Sequence, residues 1–419
     1  MTKSLGNAFR LAVRKTANVL TRKDSRSVLL IPHFNCINDG YDIINYRSDN
    51  VLCLFNGIIR DSRYDGWNIH IVYYDKEKLD SYLDYCRDFN PSRIHFIHCK
   101  DSRKYFKAFF SSAHIFTDHH FDWFRFRVRG QQIVCLSYFP GPFKDDFNIL
   151  PTTKKGLAKE RKVINLSYDW QVSVSDLCSA LLSKDSLLHY SKFVPLGFPR
   201  NDIFYEDTSY VREAIFGATG IKASRIICYT PTHRDYESSE RKFYDTGAAR
   251  ARSIWGEIDE DGLERMDSVL EEADAVVIAK LHPSQEKSVL SSAKSRRVFL
   301  YSRMPFSRTI SLNEVLAASD ILITDYTSAV YDFLHTDRPI IYYFYDYEKY
   351  RATRGFFIDP VEPVCAGYLA YDFSALLEGI TRCCREDCAA DKRKWLKDLF
   401  LLHQDGKSLE RVMDRFLHV

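Results

Sequence analysis

Short apolar runs recur along the chain, separated by polar turns or by segments with helical spacing. Val28–Pro32, Ile69–Tyr74, Ile94–His98, Ile133–Leu136, Ile226–Thr230, Ala275–Ala279, Val298–Tyr301, Ile321–Thr324 and Ile340–Phe344 are predominantly apolar. That pattern predicts strands buried on both faces of a parallel sheet. Helical patterns intervene at Lys76–Phe89, Ser175–Ser183, Gly262–Ala273 and Leu312–Ala318, and strands alternating with helices imply βαβ units. The runs form two arrays, one before about residue 195 and one after about residue 222, with the turn-rich Pro195-Leu196-Gly197-Phe198-Pro199-Arg200-Asn201-Asp202 between them. The expected fold class is therefore α/β, as two Rossmann-like doubly wound parallel-sheet domains facing a cleft. The expected domains are a leader at 1–26, an amino-terminal domain at 27–203 and a carboxy-terminal domain at 204–419.

Composition narrows the class only slightly. The chain has 419 residues, long enough for two or three cores. It is 45% hydrophobic and 27% charged, with a net charge of +3, so it reads as a soluble globular protein with no electrostatic call for a nucleic-acid partner. Eleven cysteines, scattered singly except around Cys383, Cys384 and Cys388, suit reduced thiols in a cytosolic compartment better than a disulfide framework. No apolar run reaches the roughly 18–20 residues that span a bilayer. Residues 1–26 carry seven cations against the single acid Asp24, and Leu5, Phe9, Val13 and Leu20 fall near one helical face. Such a leader fits an anionic membrane surface, although a solvated leader is an equally simple account.

The chemistry is expected in the loops at the carboxyl ends of the strands, where open α/β sheets bind ligands. After Ile321–Thr324 the chain turns through Asp325, Tyr326 and Thr327 and enters a helix expected to start near Ser328. The first N–H groups of a helix lack intrahelical partners and lie at the positive end of its dipole. With the hydroxyls of Thr324, Thr327 and Ser328 beside them, they suit a diphosphate, and Asp332 one turn on suits a ribose or polyol hydroxyl. A plain N-cap is the simpler account of that segment standing alone. The loop "YTPTHRD" delivers His233 and Arg234, whose guanidinium can fork onto phosphate oxygens, and "AKLHP" delivers Lys280 and His282. Three such loops on consecutive βα units point to one anion site. No carboxylate set matches a two-metal pattern, and the reading requires neither metal nor cofactor.

"SDILITDYTSAVYDF", "YTPTHRD", "LHP", "RPIIYYFYDYEKYRATRGFFID" and "LGFPRND" resemble the CDP-glycerol glycerophosphotransferase family, the teichoic acid primases and polymerases. The likeness runs in order over roughly residues 165–367; before that, Ser48-Asp49-Asn50 and the 168–176 stretch also fit. The resemblance implies a two-lobed glycosyltransferase-B-like fold in a cytoplasmic enzyme, peripheral at the inner face of the plasma membrane. Its reaction moves a polyol phosphate, glycerol or ribitol phosphate, from a CDP-polyol donor to a hydroxyl on a glycan or lipid-linked acceptor and releases CMP. It places His282 against the donor diphosphate, with Thr327 and Ser328 as donors to it. Asp332 is placed on the glycerol or ribose part, Arg234 facing the phosphates, and Arg351 and Arg354 in the family's basic segment.

One motif departs. The family's amino-terminal Trp-His-Gly, whose His is taken as the base acting on the acceptor, falls here on "LSYFPGPFKDD", with Phe139-Pro140 in place of His-Gly. Phenylalanine takes no proton. His119 and His120 in "TDHHFDW", and His33 after the first strand, are the nearest replacements, each with a neutral imidazole suited to a base. Two other readings stay open: a nucleotide-sugar glycosyltransferase of the same fold in surface polysaccharide synthesis, and a catalytically silent nucleotide-binding homologue.

Overall fold

The computed structural model describes residues 16, 24–33, 43–118, 124, 127–136, 141, 143, 153–232, 254–256, 258, 260–281, 295–353, 355–387 and 389–417. By their contacts these residues divide into two compact units. The first draws on Met1–Phe139, Asp146–Asp202 and Asp405–Val419, and the second on Pro140–Asp145 and Ile203–Gln404.

The first unit is built on seven strands: Asp24–Ile31 (β1), Asn68–Tyr73 (β2), Ile94–His98 (β3), Ser112–Thr117 (β4), Gln132–Cys135 (β5), Trp170–Ser173 (β6) and Phe193–Pro195 (β7). Their order is β3-β2-β1-β4-β5-β6-β7 and every pairing is parallel. The second unit has Arg225–Thr230 (β8), Ala275–Ala279 (β9), Val298–Leu300 (β10), Ile321–Thr324 (β11), Ile340–Tyr343 (β12) and Tyr368–Ala370 (β13). Its order, β10-β9-β8-β11-β12-β13, is again wholly parallel. In each sheet the winding direction reverses beside the first strand, between β1 and β4 and between β8 and β11. That reversal opens a crevice at the carboxyl edge. The central strands β8, β9, β11 and β12 are almost entirely buried, as expected for strands with helices on both faces.

Nine strands coincide with the apolar runs of the sequence. β4, β6, β7 and β13 do not, because "SAHIFT" and "WQVS" mix polar residues into the pattern and "FVP" and "YLA" are three residues long. The helix expected over Lys76–Phe89 is shorter, a 3-10 turn at Lys76–Lys78 running into Leu79–Tyr85.

The division between the units falls between Asp202 and Ile203, one residue from the expected boundary, but the tail does not stay with the second unit. The helix Ser408–Phe416 returns to the first. Asp202 caps its start, accepting from the Ser408 and Leu409 amides at 2.8 Å each. Arg411 Nε donates to the Leu196 carbonyl at 2.9 Å, Phe416 packs edge-on against Phe116 with ring centres 6.2 Å apart, and Arg63 pairs with Asp414 at 2.8 Å. A run of nine residues with so strong an apolar face cannot stand alone in water, and the sequence alone does not say which core it covers.

Gly197 is fitted to this docking. Its φ of +84° is one that side chains with a Cβ rarely adopt, and a Cβ there would run into the Ser408 hydroxyl. Gly130 has nearly the same φ, +85°, with nothing within 4 Å. Gly197→Ala is therefore expected to destabilise the protein by about 1 kcal/mol or more beyond Gly130→Ala, since the conformational strain is shared and the overpacking is not. Denaturant midpoints measure the difference, and equal losses in the two variants would refute the fit.

Candidate functional site

The second unit's crevice is closed from behind by a buried carboxylate. The register sets Thr324 level with Thr230 and Tyr229 level with Ala279, so β9, β8 and β11 end side by side. Strand spacing of about 4.8 Å puts the outer two of the three roughly 10 Å apart. Thr324 is fully buried; its hydroxyl donates to the Thr230 carbonyl at 3.1 Å and lies 3.3 Å from the Thr230 hydroxyl, which donates to it. Asp325 then accepts from the Thr232 amide at 2.8 and 3.0 Å and from the Tyr326 amide at 2.5 Å. One carboxylate thus ties the first residues of both loops.

Tyr326, also fully buried, anchors the turn from below. Its ring stacks on Tyr350 at 3.8 Å and on Phe344 at 5.0 Å, with Phe356 at 5.4 Å, and its hydroxyl donates to Asp346 at 3.3 Å. The aromatic run in "YYFYDYEKYRATRGFF" is therefore the floor of this loop. Beyond it Thr327 and Ser328 are half-exposed, and the Ala329 amide reaches the Thr327 hydroxyl at 3.5 Å.

The expected residues fall out unevenly. Thr324 faces inward and holds the two strands together, so its hydroxyl hydrogen is committed. The helix begins at Ala329 rather than Ser328 and runs only to Phe333 before tightening into a 3-10 turn at Leu334–Thr336. Ser328 makes no side-chain cap bond. Asp332 is buried one turn in. Lys280 follows β9 directly: its amide donates to the Tyr229 carbonyl at 2.8 Å and its ammonium to the Leu281 carbonyl at 2.9 Å. Arg351 pairs with Asp359 at 3.0 Å. His233, Arg234, His282 and Arg354 lie outside the described residues, as do His119, His120 and the leader except Thr16 and residues 24–26. The structure thus brings the starts of the three loops together, with Lys280, Thr327 and Ser328 among the described side chains at their mouths.

Tyr331 sits beside Asp332 and is gripped by Gly141, Phe143 and Phe400. Ring centres are 5.8 Å apart to Phe143 and 4.8 Å to Phe400, and a Cβ on Gly141, at φ +81°, would lie 2.7 Å from Tyr331 Cε2. The Pro142-Phe143-Lys144 tail of the altered motif therefore carries a packing residue of the second unit.

The first unit's crevice has the opposite character. Ile31 is level with Thr117, so Pro32-His33 and Asp118 leave β1 and β4 together. Asp49 caps the helix Asn50–Arg60, accepting from Val51 and Leu52 at 2.8 and 2.9 Å, and its other oxygen takes the His33 amide at 3.1 Å. Asn50 donates to the Leu136 carbonyl at 2.8 Å and accepts from the Arg200 amide at 3.1 Å. Asp118 shares a hydrogen bond with Asp49. Burial first, and then the Asp49 charge, push its pKa well above the carboxylate range, against a partial opposing pull from Arg200. The helix terminus here is filled by the chain's own carboxylate. Sequence reasoning gave Asp325 and Tyr326 no part beyond the turn and did not pair Asp49 with Asp118; for Asp325 the available signal was an acid placed directly after a buried apolar run.

Among the described residues no group of three or more His, Cys, Asp or Glu side chains could hold a metal ion, and no helix is long and apolar enough to cross a membrane.

The sequence profile of the CDP-glycerol:poly(glycerophosphate) glycerophosphotransferase family matches residues 41–418. The chain belongs to that family. It is 26% identical over 345 residues to the teichoic acid glycerol-phosphate primase of Bacillus subtilis (strain 168), covering 80% of this chain and 79% of that protein. It is 27% identical over 292 residues to the teichoic acid ribitol-phosphate polymerase TarK of Staphylococcus aureus (strain NCTC 8325 / PS 47), covering 69% of this chain and 52% of TarK. The chain thus spans about half the length of TarK, and 48% of the related polymerase TarL from the same strain. In fold it matches the wall teichoic acid polymerase TagF with a TM-score of 0.70 at 18% identity, over 98% of this chain and 97% of that one.

Two variants test this geometry. Asp325→Ala leaves the Thr232 and Tyr326 amides buried without their acceptor and is expected to lower stability by about 2–4 kcal/mol; an unchanged denaturant midpoint would show that the lock carries no weight. Asp118 has a folded pKa above its unfolded value of about 3.9, so the folded chain binds the extra proton and loses stability as the pH rises above that value. Asp118→Asn mimics the protonated form, so its melting temperature relative to the parent should rise between pH 4 and pH 8. A difference that stays constant with pH, or falls, contradicts the assignment.

Proposed function

We propose that the protein transfers glycerol phosphate or ribitol phosphate from a CDP-polyol to a hydroxyl of a glycan or lipid-linked acceptor and releases CMP. The observation that carries this reading is the level ending of β9, β8 and β11 at the second sheet's switch point, in a chain of this family. The acceptor oxygen attacks the donor's β-phosphorus, the new P–O bond forms as the bond to the CMP oxygen breaks, and the hydroxyl proton passes to a base. The described donors suit the departing side: Thr327 and Ser328 at the mouth of one loop and Lys280 at the next. His282, Arg234, His233 and Arg354 join them by position in the family's motifs. Catalysis of this kind is mainly positioning and charge stabilisation.

The acceptor is assigned to the first unit, whose crevice offers carboxyl groups and His33 rather than a free helix terminus. A polyol or sugar hydroxyl suits such partners, and an anion does not. His119 and His120 remain the imidazoles next in sequence to Asp118. The enzyme is placed in the cytoplasm, attached at the inner face of the plasma membrane.

Purified protein incubated with CDP-glycerol or CDP-ribitol and an oligosaccharide or lipid-linked acceptor is expected to release CMP. His282→Ala should reduce kcat/KM at least about 100-fold. Release of UDP or GDP from nucleotide sugars would replace this reading with a glycosyltransferase, and nucleotide binding without turnover would leave a silent homologue.

A further inference from the structure

The chain passes between the two units at Phe139–Pro140, Asp145–Asp146, Asp202–Ile203 and Gln404–Asp405. On the second unit, every one of these connections is fastened to the same stretch, the helix Ala329–Phe333 and its 3-10 turn Leu334–Thr336. The segment 140–145, between the first two, sets Gly141 and Phe143 against the buried Tyr331. Just after the third, Phe204 stacks on His335 with ring centres 5.6 Å apart, and the Tyr205 hydroxyl shares a hydrogen bond with His335 Nδ1 at 2.9 Å. Ahead of the fourth, Phe400 packs on Tyr331 at 4.8 Å and the Lys397 ammonium donates to the His335 carbonyl at 3.1 Å. On the first unit the last two connections share an anchor as well. Asp202 accepts from the Ser408 amide at 2.8 Å and Asp405 pairs with Arg411 at 2.8 Å, both on the helix Ser408–Phe416. Packing alone does not call for this convergence. The second unit's core cluster around Met266, Leu270 and Leu376 includes no residue of 329–336 or of the connections.

We infer that Tyr331 and His335 are positioning residues, through which the connections between the units set the placement of Asp332 and the Thr327–Ser328 turn against a bound CDP-polyol. The two stand one helical turn apart on one face, Asp332 is next to Tyr331, and Thr327 and Ser328 directly precede the helix. A helix this short does not hold itself in water, so its side-chain anchors decide where it lies. Anchors carried on the connections pass a displacement of those connections to the site. By reciprocity, a ligand that fixes the helix stiffens the connections. The inference rests on the CDP-polyol reading above and adds to it the residues that align the donor for transfer.

Amide hydrogen exchange of the full chain, with and without CDP-glycerol or CDP-ribitol, reads this linkage without turnover. The nucleotide is expected to slow exchange over residues 327–333 and, together with it, over 203–206 and 390–400, while 264–272 stays unchanged. In a second arm, Gly141→Ala, Tyr205→Phe and Phe400→Leu each loosen or displace one anchor. Each should lower kcat about 10-fold while the donor KM stays within about 2-fold of the parent's. Tyr331→Phe keeps the ring between Phe143 and Phe400 and should keep the parent's kcat. Leu270→Ala, in the separate core cluster, should lower the melting temperature and leave kcat and KM of the folded enzyme unchanged. The exchange arm uses the parent alone, so it decides even where a variant fails to fold. No slowing at 327–333 would sink the CDP-polyol reading and this inference with it. Slowing confined to 327–333, or an equal fall of kcat in Leu270→Ala, would sink this inference alone.

Discussion

The second unit's site depends on the Asp325 carboxylate. β8 and β11 are neighbours in the sheet, yet their following loops have no secondary structure to hold them together. Asp325 supplies the link by accepting from the first amide of one loop and from its own neighbour in the other, and the Thr230–Thr324 hydroxyl pair adds a second tie just beneath it. Its charge is turned inward and satisfied by N–H groups, which keeps it from opposing an anion bound on the outer side. The stacked rings under Tyr326 make the arrangement rigid, because a turn anchored by a buried aromatic cannot drift without opening a cavity. Positioning of this kind is what a reaction with little protein covalent chemistry requires.

The first unit applies the same architecture to a different end. Its switch point also pairs two level strand ends and a following helix, but Asp49 occupies the helix terminus and the His33 amide with one carboxylate. The neighbouring Asp118 is held toward its neutral form by burial and by that charge. Where the second unit leaves hydroxyls and a cation at the mouth of its crevice, the first presents the Asp49 and Asp118 carboxyls, with Arg200 among the described residues pulling against them. The two crevices thus differ in the charge they present.

Legibility in the sequence followed burial. The nine mainly apolar strands were readable because parallel strands covered by helices leave little polar alternation to confuse the pattern, whereas β4 hid its strand behind Ser112 and His114, and β7 and β13 were too short to register. The loop after β11 stood out in the sequence by its hydroxyls, but what Thr324, Asp325 and Tyr326 hold did not. Thr324 reads as a ligand donor in sequence because a hydroxyl beside a helix start is the usual signature, yet one residue earlier or later reverses its direction along a strand. Asp325 and Tyr326 read as turn residues, and only the register of β8 against β11 shows what they hold. The carboxy-terminal helix was misplaced for a related reason: its apolar face fixes that it must be covered, while the partner is set by Asp202, more than two hundred residues away in sequence.

The altered motif bears on how the acceptor is deprotonated. Phe139 and Pro140 stand where the family carries His-Gly, yet Phe143 in the same motif is fully buried against Tyr331 and Tyr342, so the segment still performs its packing duty. Loss of an imidazole with retention of the surrounding fit is the pattern expected when the proton acceptor has moved and the scaffold has not. The buried Asp118 carboxyl at the end of β4 does not itself supply that base, because burial and the Asp49 charge hold it toward its protonated form.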